Sequence, residues 1–175
     1  MCNWFVFFVQ TGKEEIVCDY LNKMSSNKGS IAFIPRIQLI CKNSKQIRKE
    51  LKPMFPGYVF YKTKVDAESF VSQIMPLARK FKHIINLLGR ENINYMSLCE
   101  EEKNFLIKFC DNQHVVCESL GFIKGDRILV TSGPLKGIEN VIKRINRHKR
   151  RAEIEWEFLG DVRRITVSLE IVKKV

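Results

Sequence analysis

The chain of 175 residues is 45% apolar and carries a formal net charge of +11, from 30 cationic and 19 anionic side chains. That apolar share supports packed cores and excludes a disordered tail. No apolar run is long enough to span a bilayer, and MCNWFVFFVQTGKEE lacks a basic leader and a small-residue cleavage site. A soluble, cytoplasmic protein without a membrane partner is therefore expected. The cationic surplus favours an anionic partner, nucleic acid first, because each neutralised phosphate releases condensed counterions.

Residues 1–110 alternate strand and helix signals. Trp4–Val9 is apolar throughout, as a central strand requires. Thr11-Gly-Lys-Glu14 has capping-box spacing and opens a helix with Ile16, Val17, Tyr20, Leu21 and Met24 at helical intervals. After the polar loop Ser25–Ser30, the residues Ile31, Phe33, Ile37, Leu39 and Cys41 alternate with period two, and Pro35 marks an edge or a bulge. Residues 42–52 form a polar basic excursion, a hairpin tip or loop, before the strand Tyr58–Lys62. Asp66 caps a short helix that buries Phe70, Val71, Ile74 and Met75 and nears its end at Pro76. His83–Leu88 reads as a strand. Ser97-Leu-Cys-Glu100 is a second capping box, opening a helix with Leu98, Phe105, Leu106 and Phe109 inward. The order βαββαβ plus a closing helix is the split-βαβ arrangement, one antiparallel sheet with helices on one face.

Residues 111–119 lack a period and suit a linker. Beyond it come only short strands, at Arg127–Thr131, Ile138–Ile145, Ala152–Phe158 and Val162–Leu169, with glycine, proline and asparagine at the turns. Such closely spaced strands are expected to close into a small barrel. The fold class is α+β: an RNP-like split-βαβ domain over 1–110, a linker over 111–119 and a small all-β barrel over 120–175.

Catalytic chemistry finds no support. Paired carboxylates in an apolar setting, a nucleophile with a base, a P-loop and a dinucleotide turn are all missing from the sequence. Cys2, Cys18, Cys41, Cys99, Cys110 and Cys117 form no CxxC pair, and His83, His114 and His148 stand far apart. Free thiols in a reducing compartment follow, with no metal, cofactor or disulfide framework.

Two segments carry specific information. In Pro53-Met-Phe-Pro-Gly-Tyr58, Pro56 and Gly57 set a tight entry into a strand with Phe55 and Tyr58 at its mouth. Gly57-Tyr-Val-Phe-Tyr61 fits half of the RNA-stacking strand of an RRM. Met54, Phe55 and Pro56 stand where the other half needs a basic residue, glycine and an aromatic, so that likeness is architectural. The second segment, Lys143-Arg-Ile-Asn-Arg147-His-Lys-Arg-Arg151, holds six permanent cations and His148, with no acid between Glu139 and Glu153. Asn146–Arg150 reads as a hairpin turn presenting guanidinium forks to phosphates. A solvated turn without a ligand is the alternative. Arg163 and Arg164 add a second basic point.

Trp4-Phe-Val, the helix after Thr11-Gly-x-Glu14, Pro35 in the second strand and FPGYVF at 55–60 together resemble the N-terminal (NGN) domain of the NusG family of bacterial transcription factors. Gly125-Asp-x-Ile-x-Val130-x-x-Gly-Pro-Leu135 resembles a KOW motif, and the likeness covers essentially the whole chain in the family's order. It implies a non-enzymatic, monomeric elongation factor. The N-terminal domain would seat an apolar cavity on the β′ clamp helices of RNA polymerase, here through Trp4, Phe5, Phe55, Pro56 and Tyr58. It also implies a contact with the upstream non-template DNA strand, for which Lys13, Lys45 and Arg48 are the candidates.

Two departures stand out. Asn140 replaces a glycine usual in KOW motifs and is expected to adopt positive φ. Leu159 and Asp161 alter the loop that in general NusG proteins meets ribosomal protein S10 or Rho. GFIKGDRILVTSGPLKG, INRHKRRAEIE and SLEIV are similar to LoaP-type antiterminators, which recognise an RNA hairpin in the leader transcript. The RNA-binding residues would then be Lys143, Arg144, Arg147, His148, Lys149, Arg150 and Arg151, and a general NusG factor without RNA selectivity is the rival.

Overall fold

The computed structural model describes residues 2–25, 29–43, 46–88 and 97–174. The protein is a mixed α+β molecule of two compact units, residues 1–34 with 55–104 and residues 35–54 with 105–175.

In the first unit a four-stranded antiparallel sheet runs β2 (Ile31–Phe33), β5 (Tyr58–Thr63), β1 (Asn3–Val9), β6 (Ile84–Leu88). Helix α1 (Glu14–Met24) joins β1 to β2, and a helical segment joins β5 to β6, so these elements follow the expected βαββαβ order. The two helical segments and the sheet enclose Phe5, Phe7, Val9, Val17, Leu21, Ala32, Val59, Tyr61, Phe70 and Met75. Phe5 stacks on Phe70 at 3.7 Å, nearly parallel.

The segment after β5 is three pieces, α2 (Ala67–Ser69), a π-helical turn (Phe70–Ile74) and α3 (Met75–Ala78). Asp66 caps it as expected, its carboxylate accepting the Ser69 N–H at 2.8 Å. The π turn has a packing reason. Residues five apart in an α-helix point about 140° away from each other; the wider turn lets Phe70 and Met75 both reach the core.

Neither capping box forms as expected. Lys13 is the α1 N-cap and makes no side-chain cap hydrogen bond. In α4 (Glu100–Phe109) it is Glu102 whose carboxylate reaches back, to the Cys99 N–H at 3.0 Å. Ser97 instead bridges Phe5 as an isolated β pair.

Pro35 does more than bulge a strand. The expected strand 31–41 is broken there: β2 ends at Phe33, and β3 (Arg36–Asn43) belongs to a different, three-stranded sheet with β4 (Gln46–Pro53) and β7 (Val115–Val116). Proline has no N–H for a ladder, so a sheet can end at it. Its carbonyl accepts the Met54 N–H at 2.7 Å, closing the base of the β3–β4 hairpin. The excursion expected over 42–52 is thus largely paired strand, from Arg36↔Pro53 to Asn43↔Gln46. The expected linker is structured too. Val115 and Val116 are buried and pair with Arg36 and Ile37, and β8 (Ser119–Lys124) begins within it.

The rest of the second unit is a five-stranded sheet in the order β10 (Ile142–Asn146), β11 (Arg151–Phe158), β12 (Asp161–Lys174), β8, β9 (Arg127–Ser132). Among the described residues no ladder joins β9 to β10, so closure into a barrel is not part of the strand pairing. A 3₁₀ turn, Glu139–Val141, occupies the start of the expected strand 138–145. Asn140 lies inside it. Among the described residues positive φ outside glycine occurs at His114, Arg150 and Leu159, and not at Asn140. Ile154, Ile165, Val167, Leu169, Leu135 and Phe158 are buried in this unit.

Candidate functional site

Neighbouring residues of a strand face opposite sides. With Phe5, Phe7 and Val9 in the helix-covered core, Trp4, Val6 and Phe8 face the other way. Register sets Phe8 opposite Tyr58, Val6 opposite Phe60 and Phe33 opposite Phe60. The result is a ladder of rings: Trp4–Phe33 at 5.2 Å, Phe33–Phe60 at 5.5 Å, Phe60–Phe55 at 6.0 Å, Phe55–Tyr58 at 6.2 Å and Tyr58–Phe8 at 5.8 Å. The Lys62 ammonium lies 5.7 Å from the centroid of the Trp4 ring. Trp4 and Phe55 are only 4% and 5% exposed, whereas Tyr58 and Phe8 are half-buried and Pro56 is exposed.

Four of the five expected docking residues therefore belong to one side of the sheet or the turn beside it. Phe5 does not. It is fully buried on the opposite face against Phe70, so its ring supports the sheet.

The turn itself is over-determined. Gly57 has φ +84°, and a Cβ there would meet the Phe8 ring, Thr11 Oγ1 and the Val9 carbonyl, each at 3.3 Å. Its carbonyl accepts the Val9 N–H at 2.8 Å, and the Phe55 carbonyl accepts the Tyr58 N–H at 3.1 Å. The Gly57 N–H donates to Glu14 Oε1 at 2.7 Å, and Glu14 is 5% exposed. Spacing alone assigned Glu14 to a capping box. The buried carboxylate instead ties the start of α1 to the FPGY turn.

In the second unit the basic run forms the hairpin expected of it. The Asn146 side chain accepts the Lys149 N–H at 3.0 Å, Arg150 donates its N–H to Arg147 O at 3.2 Å, and Arg150 takes φ +50°. The cations divide into two groups. Lys143 pairs loosely with Glu155 at 3.9 Å, and Arg150 pairs with Glu170 at 2.7 Å. Arg144, Arg147 and Lys149 are exposed and form no ion pair among the described residues, and His148 is exposed beside them. Arg151 is half-buried, with one guanidinium nitrogen 3.6 Å from the Cys41 sulfur and Nε lacking a partner. Arg163 and Arg164 are drawn to Asp161 and Glu155, at 3.1 and 2.9 Å.

Glu118 is held above the usual carboxylate range, first by burial and then by Glu170, against the opposing pull of Arg150 and Lys49. Burial, with Asp111 and Cys117, pushes the Cys110 thiol up to about 12. That thiol stays protonated and unreactive at neutral pH. Of the candidate DNA contacts, Lys13 caps α1 in the first unit and Arg48 lies exposed on β4 in the second, while Lys45 is outside the described residues.

A family model described as "Transcription termination factor nusG" matches residues 2–106. A solved structure titled "Domain interaction in Thermotoga maritima NusG" superposes with a TM-score of 0.54 at 18% identity, covering 98% of this chain and 94% of that one. At that identity the superposition speaks for the fold alone. A search of curated protein sequences gave no significant match.

Proposed function

This chain belongs to the NusG family of transcription factors, and on that premise we propose that it is a specialised elongation and antitermination factor of the LoaP type. The aromatic side of the first sheet docks on the β′ clamp helices of RNA polymerase. Pro56, Tyr58 and Phe8 are its solvent-reached rim, and Trp4 and Phe55 lie beneath as a packed support. Rigid rings in a preformed arrangement give up little entropy on binding and can supply most of an interface's energy. Lys13 stands as the candidate contact to non-template DNA. The protein acts as a monomer without a cofactor, and residues 120–175 serve as its KOW-type RNA-binding module.

The observation that carries the RNA reading is the β10–β11 hairpin. Arg144, Arg147 and Lys149 are exposed there without a carboxylate partner among the described residues. A surface in need only of solubility would intersperse acids; a cation cluster at a hairpin tip suits the phosphates and splayed bases of an RNA stem–loop. Transcription in vitro on a terminator-bearing template, with and without a leader encoding the stem–loop, tests both halves. Read-through that rises only with the leader, is lost in Tyr58→Ala, and loses its leader dependence in Arg147→Ala/Lys149→Ala is expected. Equal read-through with and without the leader would instead identify a general NusG factor.

A further inference from the structure

The β3–β4 hairpin and the basic β10–β11 turn, far apart in sequence, meet in the second unit. Ser168 of β12 is buried and takes the place of a strand partner for β3: its hydroxyl accepts the Ile40 N–H at 3.1 Å and donates to the Gln38 carbonyl at 2.8 Å. Arg151, opposite Ser168 in the β11–β12 ladder, sets its guanidinium 3.6 Å from the Cys41 sulfur of β3. Cys41 in turn is the direct cross-strand partner of Arg48. Directly opposed residues have Cβ atoms about 5 Å apart and share a face. Arg48 and Arg151 therefore flank one thiol. Lys49 and Arg150, one from each hairpin, both pull the Glu118 carboxyl down against the burial that raises it.

Charge balance shows what is missing. Glu50 is engaged by Lys52 and Cys41, Glu170 by Arg150, and Glu155 by Lys143 and Arg164. Arg48, Lys49, Arg144, Arg147, Lys149 and Arg151 have no carboxylate in ion-pair range among the described residues. Arg151 even holds Nε buried without an acceptor.

We propose that the β3–β4 hairpin and the β10–β11 turn form one composite phosphate-binding surface for a single structured RNA, with Arg48 and Arg151 joining its halves. The inference rests on the RNA-binding reading above and extends it. Arg48 moves from the DNA candidates to the RNA interface, and Arg151 holds the seam between the two hairpins through its contact with the Cys41 sulfur. A stem–loop fits better than an extended strand because the cations come from two separate hairpins, and a duplex stem offers phosphates from two strands.

The full chain would be used to select stem–loop RNAs from a randomised-loop library. Affinity is then measured against salt for the selected RNA, a scrambled-loop control and a single-stranded DNA of equal length. Arg48→Ala should weaken stem–loop binding roughly three- to tenfold and lower the magnitude of the salt slope by about 1. Arg48→Lys should restore most of both, and binding of the DNA strand should be unchanged. Wild-type RNA affinity and slope in Arg48→Ala, or a loss confined to the DNA strand, would overturn the composite surface while Arg147→Ala still reports RNA binding by the turn. Equal weak binding of both RNAs, insensitive also to Arg147→Ala, would mean that the RNA-binding reading itself has failed.

Discussion

Replacing Glu14 by alanine removes the acceptor that holds the Gly57 N–H at 2.7 Å from a position only 5% exposed. A hydrogen bond to a charged group contributes about 1.5–3 kcal/mol net, and a buried N–H left without a partner forfeits it. Gly57 cannot relax easily, because its φ of +84° and its neighbours at 3.3 Å confine the turn. A loss of about 2 kcal/mol is therefore expected, concentrated on the FPGY turn. Since each 1.4 kcal/mol is a factor of ten, amide exchange at residues 55–58 should accelerate about 30-fold. Glu14→Gln keeps an acceptor of the same shape and sheds the cost of burying a charge, so it should stay within about 1 kcal/mol of wild type. Hydrogen exchange followed by mass spectrometry reads the turn directly, and a polymerase-binding assay on the same variants reads its consequence. Unchanged exchange at 55–58 in Glu14→Ala would refute the claim that this carboxylate fixes the turn.

Other consequences follow from the second unit. A Cβ at Gly133, where φ is +93°, would stand 2.5 Å from Ser119 Cα and 2.7 Å from the Glu118 carbonyl; with the left-handed backbone cost added, Gly133→Ala should lose at least about 3 kcal/mol, visible as a lower urea midpoint. Glu118 has a raised folded pKa, so the native state holds its proton more tightly than the unfolded chain. The sign is then fixed: stability falls as pH climbs from the ordinary glutamate value through the raised one. Glu118→Gln should thus raise the melting temperature at neutral pH and leave it nearly unchanged at pH values below the ordinary glutamate range, as measured by calorimetry.

Much of this architecture is legible in local chemistry. The uninterrupted apolar run Trp4–Val9 is indeed a central strand, Asp66 indeed caps its helix, and Asn146–Arg150 indeed turns a hairpin, because each depends on residues within a few positions of one another. The one-sided placement of Trp4, Phe55 and Tyr58 follows from the same motif once β1 and β5 are paired. What local chemistry misassigned depended on distant partners. Glu14 has capping-box spacing, yet its carboxylate is taken by Gly57, 43 residues away. Phe5 sits next to Trp4 and shares its character, but strand alternation and the Phe70 ring draw it to the other face. The polar residues 42–52 read as either a hairpin tip or a loop because β4 is exposed along almost its whole length; only the ladder to β3 shows how much of it is paired strand.

The sequence by itself determined that Trp4–Val9 extends, that Asp66 opens a helix, that Asn146–Arg150 turns a hairpin, the family it resembles and the cationic character of residues 143–151. Only the tertiary structure decided that Pro35 passes the chain from one sheet to another, that Ser168 satisfies the open edge of β3 and that Arg48 and Arg151 flank Cys41. The physical reason is the range of the forces that choose. Propensity, capping and alternation act over a turn or two of chain. A buried hydroxyl, carboxylate or guanidinium takes whichever partner the packed fold brings within hydrogen-bonding distance, however far away it lies in sequence.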